Sequence, residues 1–96
     1  MTQEEVRQAL GLYRQQIDEV DLRILELLNQ RTRIVEQIGC IKQKVSMPIY
    51  EPSREDQVFR NVTSNNSGPL SAEAVRRIFE RIIDEARSVQ RMRMNQ

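Results

Sequence analysis

From Val6 onward, apolar residues recur at alternating steps of four and three: Val6, Leu10, Tyr13, Ile17, Val20, Ile24 and Leu27, then, past position 31, Ile34, Ile38, Ile41 and Val45. A heptad stripe of that length predicts one long helix, about residues 3–45, packed against other helices in a bundle or coiled coil. Thr2 followed by Glu5 has the spacing of a capping box, with Met1 and Val6 placed for a hydrophobic staple. The stop is Pro48, which disfavours helical backbone at Met47 and cannot donate to the ladder. Gly39 lies inside the pattern and costs up to about 1 kcal/mol relative to Ala, so it marks close packing or a local weakness.

Beyond the break, Ser53 stands as the N-cap of a short helix, about residues 53–64, with Glu55 and Asp56 in its first turn and a small apolar face of Val58, Phe59 and Val62. The stretch from Thr63 to Pro69, TSNNSGP, consists of turn formers and reads as a loop. Ser71 then caps a medium helix, about residues 71–92, with Leu70 and Val75 placed for a staple and Glu73 in the first turn. Its stripe is Val75, Ile78, Phe79, Ile82, Ile83, Ala86 and Val89, and Arg91 and Arg93 suit its C-terminus. No alternating strand pattern or internal repeat interrupts this reading. The expected fold is all-α, with three helices, one long, one short and one medium, in a single domain covering residues 1–96.

The first helix is too long for a compact monomer. At about 1.5 Å per residue it would extend roughly 60 Å, against roughly 25 Å for a globule of this chain length. Most of its stripe would be bare. Pairing two long helices in a symmetric helical-bundle homodimer, each carrying the short helices of its own or the other chain, buries it most simply. A break near Gly39 that folds the helix back is the alternative.

Composition narrows the function. The 96 residues are 39% hydrophobic, 30% charged and 4% aromatic, as expected of one soluble domain. No run of about 18 uncharged apolar residues is present, so no membrane span is expected. The opening MTQEEVRQAL is acidic and polar, unlike a secretory signal, which points to the cytoplasm. A single cysteine, Cys40, and no histidine argue against a disulfide, a zinc site or a Cys/His nucleophile pair. Fifteen basic against 14 acidic residues, with little aromatic interleaving, argue against nucleic-acid binding. Any anion site must therefore be local.

Some polar residues stand where the pattern asks for apolar ones. Arg31 occupies the stripe, where a guanidinium needs an anion: an internal salt bridge to Asp18, Asp21 or Glu55, or a bound carboxylate. Lys42 lies nearly on the same face about 16 Å further on, so the two could bracket a small anion; a solvated lysine is the plainer reading. Arg14 sits about 25 Å from Arg31, too far to share a small ligand within one chain, and acts across a dimer interface if it binds at all. Gln90 extends the line of Phe79, Ile83 and Ala86 and needs hydrogen-bond partners if buried, either a backbone carbonyl or a ligand. Glu51, Arg54 and Glu55 surround the start of the second helix, where acids commonly serve the helix dipole.

Taken together, RQQIDEVDLRILELLNQR from Arg14 to Arg31, IGCIK ending at Lys42, IYEPSRE from Ile49 to Glu55, the NNSGPL turn and IFERIIDEARSVQ ending at Gln90 resemble the all-helical chorismate mutases, in order and over about the whole chain. The resemblance implies an intertwined homodimer that converts chorismate to prephenate, in phenylalanine and tyrosine biosynthesis, with no metal, cofactor or covalent intermediate. It implies that Arg31 and the partner's Arg14 hold the substrate carboxylates, with Arg54 supporting them. Lys42 and Gln90 would donate to the ether oxygen, and Glu55 with the Glu51 region would hold the ring hydroxyl.

Two positions depart from the pattern: Ala86 stands where some members place a Ser that touches a carboxylate, and Glu51 where Asp is common. The wording of IYEPSRE and NNSGPL looks most like mutase domains fused to the enzyme that opens the shikimate pathway, which makes a non-covalent complex with that enzyme an expectation. Isochorismate pyruvate-lyase, on the same fold, is the rival activity. A non-catalytic helical dimerisation module is the rival from another class.

Overall fold

The computed structural model describes residues 1–95. It contains three helices and, among the described residues, no strand: α1 (Gln3–Val45), α2 (Pro52–Ser64) and α3 (Ala72–Met94). α1 is unbroken at Gly39, so the fold-back does not occur. By packing, the chain divides into two compact units, Met1–Arg33 and Ile34–Gln96.

The first unit is the N-terminal part of α1. Thr2 Oγ1 accepts the Glu5 amide N–H at 3.1 Å and donates to Glu5 Oε1 at 3.1 Å, giving the start that the Thr2/Glu5 spacing predicts. Its apolar stripe stays exposed, with Tyr13 64% and Ile17 57% accessible. A helix gains most of its stability from packing such a face rather than from propensity.

The second unit joins segment 34–45 of α1 to α2 and α3. Val35 of α1, Phe59 of α2, and Val75 and Ile83 of α3 form its core, each contributing about 1.5–3 kcal/mol of burial. Against α3, α1 places Glu36, Gly39 and Gln43, which recur on one face. Glu36 pairs with Arg93 at 3.6 Å, and Gln43 Nε2 donates to the Met94 carbonyl at 3.0 Å. Between them, α1 lies close to α3 at Gly39: a Cβ at this position would meet Gln90 Cα at 3.4 Å, an ordinary van der Waals contact. Gly39 therefore marks close packing.

The connections determine what α1 and α2 can present. At the end of α1, Ser46 takes a left-handed φ of 57°; the Met47 N–H returns to the Lys42 carbonyl at 2.9 Å and the Ser46 N–H to Gln43 at 3.4 Å. This is a Schellman stop with Ser where Gly is usual, and Pro48 follows directly. α2 begins two residues earlier than a cap at Ser53 would place it. Pro52 opens it, and Glu51, not Ser53, occupies the N-cap without a side-chain capping bond. Proline's fixed φ suits the first helical position, and the Glu51 carboxylate is engaged elsewhere. In the α2–α3 loop, Asn66 Oδ1 accepts the Gly68 N–H at 3.1 Å while its Nδ2 donates to the Leu70 carbonyl at 2.7 Å. Ser71 caps α3 as expected, its side chain accepting from the Ala74 N–H at 3.1 Å. Among the described residues, no helix is long and apolar enough to cross a membrane.

Candidate active site

The sharp turn after α1 folds the chain back over Lys42. This lysine is only 5% exposed, and its Nζ donates to the Ile49 carbonyl at 2.9 Å and lies 2.8 Å from Glu51 Oε1. An ammonium has three N–H donors. Two are directed at these acceptors, and the tetrahedral geometry fixes the direction of the third. A buried charge needs such partners, because desolvation without them costs several kcal/mol. Of the alternatives open for Lys42, the solvated lysine is excluded.

Gln90 is buried at 8% exposure, packed with its Cα and Cγ against Gly39, one helical turn before Lys42 on α1. Its Oε1 has no hydrogen-bond partner among the described residues. Buried amide oxygens nearly always have one, so the fold leaves an acceptor open here.

Glu55 is held by Arg87 of α3. Arg87 Nε donates to Glu55 Oε2 at 2.8 Å and Nη2 to Oε1, a two-pronged pair, while Nη1 donates to Asp84 Oδ1 at 3.1 Å. The guanidinium also stacks on the Tyr50 ring, 5.2 Å from its centroid. The hydrogen bonds to Glu55 push the Arg87 pKa above its ordinary value, so the guanidinium is charged at every working pH.

Arg87 is not singled out by the sequence pattern. In isolation its spacing from Asp84 reads as a solvated pair along one helix. The available signal was its place four residues after Ile83 and three before Gln90, both buried.

The other expected cations are distributed over both units. Arg54 is exposed at the start of α2, with Nη1 3.5 Å from Gln57 Oε1. Arg14 is exposed on the first unit, and Arg31 is half-buried near that unit's end. Among the described residues no group of three or more His, Cys, Asp or Glu side chains is gathered to hold a metal.

A caged lysine with one donor to spare, a buried glutamine amide and an acid fixed at the start of α2 are groups that can hydrogen-bond an oxygen-rich ligand. Residues 13–91 match the family described as chorismate mutase type II. The chain belongs to that family. It is 35% identical over 82 residues to a bifunctional chorismate mutase/prephenate dehydratase of Aquifex aeolicus, an alignment covering 81% of this chain and 23% of that protein. Of the bifunctional relatives it matches, the chain spans less than a quarter of the length. Among solved structures, a chorismate mutase from Thermus thermophilus (form II) superposes with a TM-score of 0.84 at 30% identity, covering 86% of this chain and 94% of the other. A chorismate mutase from Helicobacter pylori in complex with prephenate gives 0.86 at 26% identity, covering 93% and 97%. In this chorismate mutase family member, Lys42, Glu51, Glu55 and Gln90 all belong to the second unit, as does Arg54.

Proposed function

We propose that this chain is a chorismate mutase that rearranges chorismate to prephenate in the cytoplasm as an intertwined homodimer, each site completed by Arg14 of the second copy. The observation that carries the reading is the caging of Lys42, in a chain of this family. A lysine with two donors occupied by its own loop has one left for a ligand, and its aim is preset.

The reaction is a Claisen rearrangement: the ether C–O bond breaks as a C–C bond forms, in one concerted step. It needs no nucleophile. The substrate must fold so that the reacting carbons meet, and negative charge grows on the ether oxygen as the bond lengthens. Arg31 and the partner's Arg14 hold the two carboxylates and so select the folded conformer, while Arg54 adds to the local positive field. Lys42 and the Gln90 amide donate to the ether oxygen. Because these donors are preorganised in a dry setting, they stabilise the separated charge without reorganising during the step. Glu55 accepts the ring hydroxyl, near Glu51.

The bare stripe of α1 supports the dimer. Tyr13, Ile17, Val20, Ile24 and Leu27 are all exposed, with no covering element of their own unit. A second copy pairs stripe to stripe, so that residues 1–96 of two chains form one folded body.

Chorismate depletion by the purified chain, followed by absorbance, with prephenate and pyruvate quantified separately and the mass measured by light scattering, tests the reading. Prephenate formation by a dimer is expected. Pyruvate release from isochorismate instead would make it a lyase, and no turnover of either substrate by a folded dimer would leave a dimerisation module.

A further inference from the structure

We propose that Arg87 is a positioning residue for substrate recognition: its fork holds the Glu55 carboxylate in the orientation that accepts the substrate's ring hydroxyl. The inference rests on the chorismate mutase reading above and deepens it. Arg87 is not among the site residues that the family resemblance implies.

Three features carry it. The contact is bidentate, through Nε and Nη2 to the two oxygens of Glu55, which fixes the plane of the carboxylate as well as its position. Each carboxylate oxygen has two acceptor sites, so after both prongs are satisfied Glu55 still has capacity for a hydroxyl donor. Arg87 is itself held from two further sides, by Asp84 through Nη1 and by the face of Tyr50. The carboxylate is therefore held by a guanidinium that cannot easily turn.

Tyr50 links this pair to the lysine. The consecutive residues Ile49, Tyr50 and Glu51 serve alternately: Ile49 and Glu51 accept from or face Lys42, and Tyr50 lies against Arg87. One short segment thus sets the donor for the ether oxygen and supports the acceptor for the ring hydroxyl. A plain structural tie between α2 and α3 would not require the carboxylate that binds the substrate. Here the fork is placed on that carboxylate.

The test compares chorismate with its ring-hydroxyl methyl ether, which lacks the donor hydrogen, on the full-length wild type and the variants Arg87→Met, Arg87→Lys and Glu55→Ala. A site built to bond a hydroxyl discriminates strongly against an analogue that leaves its polar group unmatched. Wild type should favour chorismate by at least about 10-fold in kcat/KM. Arg87→Met, which keeps the apolar stem, should reduce that preference several-fold, mainly through a raised KM for chorismate. Arg87→Lys, with the charge but not the fork, should fall between the two.

An unchanged preference in Arg87→Met, with both substrates slowed equally, would reduce Arg87 to a structural tie and overturn the proposal. If Arg87→Met does not fold by circular dichroism, Arg87→Lys decides by the same ratio. A wild-type preference in Glu55→Ala would remove the hydroxyl role from Glu55 itself. Failure of the wild type to make prephenate would instead remove the underlying reading.

Discussion

Lys42 and Glu51 face each other at 2.8 Å across the turn that ends α1, and the Ile49 carbonyl completes the cage at 2.9 Å. The lysine is 5% exposed, whereas the Glu51 side chain is 36% exposed. Glu51 is thus the accessible member of the pair and Lys42 the protected one. Within the fold, Glu51 is therefore the residue that holds Lys42.

The pair separates two effects on catalysis. Lys42→Ala should lower kcat by about 100- to 1,000-fold with KM within a few-fold, since its donation strengthens as charge develops. Glu51→Ala should lower kcat about 10-fold with little change in KM, because the lysine loses one of its two fixed partners. Steady-state kinetics on both variants is the check. A raised KM with unchanged kcat in Glu51→Ala would show that Glu51 acts on the ring hydroxyl alone.

Arg14 and Arg31 should complement between chains. Either change to Ala should cost about 10- to 100-fold in kcat/KM, the scale of a lost charge-assisted pair. In a heterodimer of the two variants, one site has both arginines and the other has neither. An equimolar mixture, unfolded and refolded together, should therefore recover about a quarter of wild-type activity at random pairing. Recovery no greater than the sum of the separate variants would place both arginines in one chain's site.

Gln90 gives a pH prediction whose sign is fixed by chemistry. Its amide has no titratable proton, so its donation is the same across the working range. Gln90→Glu can donate only while its carboxylic acid is protonated. Its kcat should be highest at acid pH and fall as pH rises through the titration of the introduced acid, whereas wild type stays flat over that interval. A parallel profile for the two proteins would count against Gln90 as the donor.

Gly39 tests how closely α1 must approach α3. An added Cβ would meet Gln90 Cα at 3.4 Å, Arg93 Cβ at 3.5 Å and Gln90 Cγ at 3.6 Å, all ordinary contacts. Gly39→Ala should therefore fold well and gain up to about 1 kcal/mol from helix propensity. Gly39→Leu adds three further carbons where the Cβ is already in contact and should lose about 1–3 kcal/mol, with kcat falling as Gln90 is pushed aside. Thermal melts and kinetics on the pair decide this.

The stripe from Val6 to Val45, the Thr2/Glu5 and Ser71 starts and the Pro48 stop were legible along the chain, because a helix is written in residues three and four apart. The same periodicity singled out Lys42 and Gln90 as polar groups beside buried positions, and the ordered motifs pointed to the family. Other features depend on residues far apart in sequence. Ser53 has the chemistry of a cap, yet the helix begins at Pro52, with Glu51 turned to Lys42 nine residues earlier. Arg87 reads as the neighbour of Asp84 until folding brings Glu55, 32 residues away, into its fork. Local spacing determined the helices and the residue types available. Only tertiary packing decided which charges meet, since a buried charge takes its partner from whatever the fold places within reach.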